Sequence, residues 1–253
     1  MRSTAAEPDS RPPVFLSDPH SLAADVVTLD GPEGRHAATV RRLAAGERVD
    51  LTDGAGLIAE CVVTAAAAGR LELSVLARHS EPRPDPALVV VQALPKGEHG
   101  PLAVDLMTEG GVDVIVPWAA QRCVTRWQGE RGDRALARWR AAAREAAKQA
   151  RRAWLPEVTG PVTTAELACR AESAGLAVLL DPGVPALLSE LELPGSGDIM
   201  LVVGPEGGIS PAEMAELAGA GAVRARLGPA VLRTSSAGLV AATIVASRAG
   251  RWR

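Results

Sequence analysis

The sequence predicts an α/β protein in which a domain with a parallel sheet follows a smaller domain of short strands. Downstream of residue 87, apolar runs of strand length alternate with helical stretches, as they do in parallel sheets with crossover helices. Upstream of residue 80, shorter runs partly alternate apolar and polar residues and are separated by turn residues, which is typical of antiparallel strands. Between these regions, the alternate prolines of residues 81–86 favour an extended linker.

The N-terminal region, residues 11–80, is predicted to form a small β-barrel. Asp53 followed by Gly54 marks a hairpin turn within it. Residues 1–10 are polar, and we expect them to be a disordered tail. The strand-like segments of this region are 48–52, 56–63 and 71–76.

The C-terminal region, residues 87–253, is predicted to hold the parallel sheet. The alanine-rich stretch 237–248 is predicted to be a helix, and its small residues indicate close packing against a neighbour. The strand-like runs are 88–94, 112–116, 176–180, 198–203 and 223–227.

The run 198–203 ends in a glycine loop with the sequence GPEGG at 204–208. Beyond it, Ser210 has the position of a helix N-cap, Pro211 that of the first helical residue, and Glu213 that of the capping-box acid. The glycine spacing fits neither the dinucleotide motif nor the phosphate loop, and no lysine follows. The loop therefore favours a nucleoside over a polyphosphate, with an ordinary strand-to-helix turn as the alternative.

A second loop of the same kind follows the run 223–227. Gly228 and a proline end the run, and Thr234 or Ser235 is predicted to cap the helix beyond. Ligands of open α/β sheets bind at the carboxyl ends of the strands. Two glycine loops at such ends therefore predict a ligand site.

These two motifs resemble the signatures of the RsmE family of 16S ribosomal RNA (uridine-N3) methyltransferases, in the SPOUT superfamily. In this chain they read GPEGGIS at 204–210 with Glu213, and LGPAVLRT at 227–234. The resemblance extends over nearly the whole chain. It implies S-adenosyl-L-methionine as cofactor, a C-terminal SPOUT domain with a trefoil knot, and a PUA-like RNA-binding barrel before it. It also implies a homodimer with active sites at the interface, and we expect residues 237–249 to pack across the two-fold axis.

The resemblance also assigns roles to individual residues. Arg233, beside the second loop, is the candidate catalytic residue, because its charge would stabilise a developing uracil anion. The candidate RNA contacts are Arg11, His36, Arg42, Arg122 and Arg152. The candidate cofactor-binding residues are Leu180, Asp181, Pro182, Gly204, Pro205, Glu206, Gly207, Gly208, Leu227, Gly228, Val231, Leu232 and Thr234.

The chain departs from the family pattern at Leu106, Gly110, Ala230 and Ser235, so no role is assigned to those side chains. Two alternatives to the uridine-N3 enzyme stay open. One is a related SPOUT enzyme that methylates a ribose 2′-hydroxyl. The other is a ribosome-assembly RNA-binding protein that has lost catalysis.

Charge and composition agree with an RNA partner. The whole chain has a formal net charge of −3, but residues 122–152 contain ten basic and three acidic residues. A local basic face of this kind is expected of a protein that binds a phosphate backbone, although it also fits a solvated helix. Four of the five tryptophans lie within or beside this stretch, where stacking on bases and packing in the core are both open.

The remaining composition predicts what the protein lacks. Its three cysteines lie far apart, which argues against a metal site and for a reducing compartment. No apolar run reaches the length of about 18 residues that a membrane span needs, and the first ten residues lack the apolar segment of a secretory signal. We therefore expect a cytoplasmic protein that binds 16S rRNA or the small ribosomal subunit, without a metal or a membrane.

Overall fold

The computed structural model describes residues 11–252, which form two compact units. The N-terminal unit runs up to Pro82 and takes in Arg151–Trp154, and the C-terminal unit comprises Arg83–Ala150 and the chain from Leu155 onward. The tail predicted for residues 1–10 lies outside the described residues.

Among the described residues, the N-terminal unit contains one five-stranded sheet, in the order β1-β3-β4-β5-β2. Strand β1 pairs with β3 in parallel, and the other neighbours are antiparallel. The predicted hairpin is confirmed between β3 and β4, where Asp53 Oδ1 accepts hydrogen bonds from the amides of Ala55 (2.7 Å) and Leu57 (3.1 Å). The elements are β1 Val14–Leu16, α1 Pro19–Leu22, β2 Val26–Leu29, α2 Gly31–Arg35 with a π-helical turn His36–Val40, β3 Arg48–Thr52, β4 Leu57–Ala67 and β5 Arg70–Ser80.

The segment Arg151–Trp154 joins this unit through main-chain contacts at the β3–β4 connection. Ala153 O accepts hydrogen bonds from the Gly56 amide (3.1 Å) and from Thr52 Oγ1 (3.2 Å). The Trp154 ring lies so close to Gly56 that a Cβ there would be 2.8 Å from it. Only glycine fits at that position, and the sequence alone gave no sign of this contact.

Among the described residues, the C-terminal unit contains a six-stranded sheet in the order β11-β9-β10-β6-β7-β8, and every pair is parallel. The predicted parallel sheet is confirmed, with shifts of up to two residues at strand ends and with one further two-residue strand, β8, that the sequence did not predict. Strands buried on both faces read as continuous apolar runs, and β10 is buried from Ile199 to Val203. The strands are β6 Ala87–Ala93, β7 Val114–Trp118, β8 Glu157–Val158, β9 Leu176–Leu180, β10 Asp198–Val203 and β11 Val223–Ala225.

The last helix of this unit packs closely because of its small residues. A Cβ on Gly238 would lie 2.7 Å from Met107 Sδ, and one on Gly110 would lie 2.6 Å from Leu239 Cδ1. A side chain at Gly110 would therefore require the Leu239 side chain to move. The helices are α3 His99–Glu109, α4 Gly129–Gln149, α5 Thr164–Ser173, α6 Pro211–Gly219 and α7 Thr234–Arg248, with a 3₁₀ turn Leu188–Glu190.

The small residues of α7 serve the core of the protomer. Helix α7 contacts α3, β6 and β10, and Ala241 and Ala242 are fully buried within the single chain. We expected residues 237–249 to pack against a second copy across a two-fold axis. For Ala241 and Ala242 this expectation is wrong, because both side chains are already buried inside one protomer.

Candidate functional site

A pocket of 390 Å³ lies where β9, β10 and β11 end, at the carboxyl edge of the parallel sheet. This volume falls in the range of small-molecule sites. The pocket is lined by every predicted cofactor residue except Gly207. It is also lined by six residues that were not predicted, namely Val203, Ile209, Met214, Arg226, Ala230 and Ala237.

The loop after β9 is fixed by Asp181. Its amide donates to Ala225 O (2.9 Å), and its carboxylate accepts from the Gly183 amide (2.7 Å) and from Arg224 Nε (2.8 Å). Burial by itself raises the pKa of Asp181, but the Gly183 amide and the Arg224 guanidinium outweigh it and hold the pKa below its ordinary value. Asp181 is therefore an ionised carboxylate that anchors the loop to β11.

The loop after β10 makes its turn at Gly208, whose φ of 73° lies in the left-handed region that favours glycine. The Gly208 amide donates to Pro205 O (2.8 Å), which closes the turn. Glu206 Oε1 accepts from the Lys96 amide (3.2 Å). Gly207 faces Arg122, whose Nη1 donates to Gly207 O (3.1 Å). Arg122 thus supports the loop from outside the pocket.

The loop after β11 leads into α7. Helix α7 begins at Thr234, and its N-cap is Arg233, whose side chain makes no capping hydrogen bond. The predicted caps, Thr234 and Ser235, are therefore wrong by one or two positions. Arg233 is exposed and does not line the pocket, so the structure places it beside the site at the start of α7.

The predicted capping box at α6 is confirmed and has a further function. Ser210 Oγ accepts from the Glu213 amide (3.3 Å), and Glu213 Oε2 accepts from the Ser210 amide (3.1 Å). Glu213 Oε1 also accepts from the Gln121 amide (2.7 Å) and from Thr164 Oγ1 (3.1 Å). This buried carboxylate therefore joins α6, α5 and the loop after β7.

We expect Glu213→Ala to lower the free energy of unfolding by about 3 kcal/mol, because it leaves buried donors without an acceptor. The exposed Glu216 of the same helix is the matched control, and Glu216→Ala should change stability by less than about 0.5 kcal/mol. Urea denaturation of both variants measures the difference. Equal stabilities for the two would contradict the role assigned to Glu213.

The contribution of Glu213 should also depend on pH. Burial raises its pKa, but the hydrogen bonds from Gln121, Ser210 and Thr164 outweigh burial and lower the pKa from the ordinary value of 4.5. A carboxylate with a lowered pKa stabilises the fold above its ordinary pKa and loses that contribution as the pH falls through the folded-state value. The stability gap between the wild type and Glu213→Gln should therefore narrow in strong acid.

The candidate RNA contacts have different surroundings. Arg11 and Arg42 are exposed, and Arg42 has a φ of 55°, which is unusual for a residue with a side chain. The ring of His36 packs edge-on against Phe15, with ring centroids 5.8 Å apart, so His36 contributes to the N-terminal core. Arg152 is half-buried in the N-terminal unit, and Arg122 lies at the loop after β10 in the C-terminal unit.

Helix α4 carries much of the basic segment on its exposed face. Some of these charges are partnered: Arg134 pairs with Glu130 (3.6 Å) and Arg138 with Glu98 (3.3 Å). Trp139 is buried, and its ring meets that of Trp127 at 81°, with centroids 5.0 Å apart. Trp118 is also buried, so these tryptophans pack in the core, whereas most of the arginines of this region are exposed.

The described residues include no helix that is long and apolar enough to cross a membrane. Within residues 11–252 there is also no group of three or more His, Cys, Asp or Glu residues that could hold a metal ion.

Comparisons with known families match both regions of the chain. The family described as RNA methyltransferase domain matches residues 82–246, and the family described as RNA methyltransferase PUA domain matches residues 29–76.

Individual relatives extend these matches over nearly the full length. A Mycobacterium tuberculosis protein named Ribosomal RNA small subunit methyltransferase E is 49% identical over 243 residues, covering 94% of this chain and 93% of the relative. A Bacillus subtilis protein of the same name is 27% identical, with 88% and 90% covered. The crystal structure of a Neisseria gonorrhoeae protein of that name, bound to S-adenosyl methionine, superposes with a TM-score of 0.82 at 27% identity and covers 94% of this chain and 98% of that one.

Proposed function

The chain belongs to the ribosomal RNA small subunit methyltransferase E family, and we propose that it methylates N3 of a uridine in 16S ribosomal RNA. It is an S-adenosyl-L-methionine-dependent ribosomal RNA methyltransferase. The observation that carries the proposal is the pocket at the ends of β9, β10 and β11, where the two motifs shared with the family meet.

The pocket residues fit a cofactor that carries a nucleoside. Gly204, Gly208 and Gly228 expose main-chain groups along its wall, and a Cβ on Gly228 would meet no protein atom within 4 Å. Main-chain donors and acceptors beside apolar walls suit the polar edge and flat face of a base. When bound, S-adenosyl-L-methionine supplies the activated methyl group.

The catalytic group on the acceptor side is Arg233. Its exposed side chain makes no hydrogen bond to the N-terminus of α7, so it can contact a base that approaches the pocket. A fixed positive charge there would stabilise the anion that forms as uracil N3 loses its proton. The adjoining Val231 lines the pocket with 78% of its surface exposed, which supports a homodimer that covers this rim.

The RNA is held by the N-terminal domain and by the basic surface of the catalytic domain. We assign residues 11–80 to a small PUA-like β-barrel and 87–253 to a SPOUT domain with a trefoil knot, joined by the linker 81–86. The match to the PUA family and the five-stranded sheet support the first assignment. Arg11, His36, Arg42, Arg122 and Arg152 are the proposed RNA contacts. Action on ribosomal RNA implies a cytoplasmic enzyme.

Nucleoside mass spectrometry of 16S rRNA from a strain that lacks the gene tests the proposed product. We expect the strain to lose N3-methyluridine and to regain it when the wild-type gene is returned. Loss of a ribose 2′-O-methyl nucleoside would identify the alternative SPOUT activity. If the protein binds labelled cofactor but transfers no methyl group to ribosomal RNA, it is the non-catalytic assembly protein.

A further inference from the structure

Arg226 lies immediately after β11 and lines the pocket, although neither family motif includes it. Its main chain is fixed, because its amide donates to Ala186 O (2.9 Å) and its carbonyl accepts from the Leu188 amide (2.9 Å). Its side chain is half-buried, and the Nε atom is shielded from solvent without a hydrogen-bond partner. Within residues 11–252, its guanidinium forms no ion pair.

This arrangement is costly unless a ligand completes it. A buried donor without an acceptor costs about 1–3 kcal/mol, and more when it is charged. A guanidinium cannot escape that cost by losing its proton. The two carboxylates on the pocket wall are already engaged, since Asp181 binds Arg224 and Glu206 accepts from the Lys96 amide. Arg226 therefore offers the pocket a guanidinium that no carboxylate on the pocket wall neutralises, and that suits an oxyanion from outside the chain.

We propose that Arg226 binds the carboxylate of the amino-acid portion of the cofactor. This inference rests on the proposed function, which places S-adenosyl-L-methionine in the pocket. The carboxylate is the single anionic group of that molecule, because its sulfonium and ammonium groups are cationic and its base and ribose are neutral. The planar guanidinium can donate two parallel hydrogen bonds to a carboxylate. A phosphate of the RNA offers the same chemistry and is the other possible source of the oxyanion.

Titration calorimetry with two ligands separates these sources. S-adenosylhomocysteine carries the carboxylate, and its decarboxylated analogue retains the nucleoside, sulfur and amine. We expect Arg226→Gln to weaken S-adenosylhomocysteine binding by about 10- to 100-fold, the typical range for losing a charge-assisted hydrogen bond. Binding of the decarboxylated analogue should change by less than about 3-fold, because that ligand lacks the group that Arg226 contacts.

The controls keep the result interpretable. Arg170→Gln removes an exposed arginine from α5, away from the pocket, and should bind both ligands as the wild type does. The melting temperature of Arg226→Gln should stay within about 2 °C of that of the wild type, because Arg226 is half-buried and its guanidinium forms no ion pair within residues 11–252. Arg226→Lys retains the charge and should still discriminate between the two ligands in part.

Three results would overturn the inference. Arg226→Gln could bind S-adenosylhomocysteine normally, or it could weaken both ligands equally. It could also leave both affinities unchanged and raise the KM for RNA, which would assign Arg226 to a phosphate. A wild-type protein that binds neither ligand would instead refute the proposed cofactor site, so the two failures are distinguishable.

Discussion

Gly228→Leu is expected to leave the protein folded and to abolish cofactor binding. Gly228 lines the pocket, its φ lies outside the left-handed region, and an added Cβ would meet no protein atom within 4 Å. A leucine side chain there would therefore enter open space and not the packed core. It would occupy room that the cofactor needs, and we expect affinity for S-adenosylhomocysteine to fall by on the order of 100-fold or more.

Calorimetry for binding and thermal unfolding for stability, applied to the same preparation, test this expectation. The control is Gly195→Leu, because Gly195 is exposed, lies away from the pocket and likewise has no atom within 4 Å of an added Cβ. Both variants should melt within about 2 °C of the wild type, as surface substitutions generally do. If Gly228→Leu binds the cofactor with wild-type affinity, the cofactor does not lie at this pocket.

Two of the three glycines of the first loop, Gly204 and Gly207, would be poorer probes. A Cβ on Gly204 would lie 2.8 Å from Ile209 Cγ1, so a valine there disturbs the packing of the protein itself. Gly207 faces Arg122 and does not line the pocket, so a side chain there would not enter the site directly. The sequence motifs do not distinguish these glycines. In the structure, Gly204 is packed against Ile209, Gly207 faces Arg122, and Gly228 lines the pocket with free space around it.

The sheet and the position of the site were predictable because local patterns specify them. Strands buried on both faces must be continuously apolar, so β9 and β10 were found with the bounds that the structure has. Their carboxyl ends meet at one edge of the sheet, so loops distant in sequence line one pocket. The capping box at Ser210 was predictable for a similar reason, since its partner lies three residues away.

Features that depend on distant packing were not predictable in this way. Glu213 reaches Gln121 and Thr164, which are 92 and 49 residues away, so its sequence context shows only the cap. His36 matched a family pattern and is proposed to contact RNA, but nothing local in the sequence indicated that its ring also packs against Phe15. Arg226 was not predicted, because a single arginine before a motif is not distinctive in the sequence. Only the fold shows that it lines the pocket and that its Nε has no hydrogen-bond partner among the described residues.

The chemistry of uridine methylation makes Arg233 the side chain whose removal should most reduce turnover. Uracil N3 carries a proton that must leave before or as the methyl group arrives, and the base then develops negative charge. The methyl donor is already activated by its positive sulfur, so the protein must mainly orient the base and stabilise that anion. Arg233 lies between the pocket loop and α7, and its exposed side chain makes no capping hydrogen bond.

Arg233→Ala should therefore reduce kcat by on the order of 100-fold, which corresponds to about 2.7 kcal/mol of transition-state stabilisation. Affinity for S-adenosylhomocysteine should stay within about 3-fold of the wild type, because Arg233 does not line the pocket. Single-turnover methylation of 16S rRNA measures the loss of kcat, and calorimetry measures the affinity for S-adenosylhomocysteine. The control is Arg170→Ala, which also removes an exposed arginine. The wild-type rate should rise with pH as N3 loses its proton more readily. Normal turnover by Arg233→Ala, or a ribose 2′-O-methyl product, would contradict the uridine N3 mechanism.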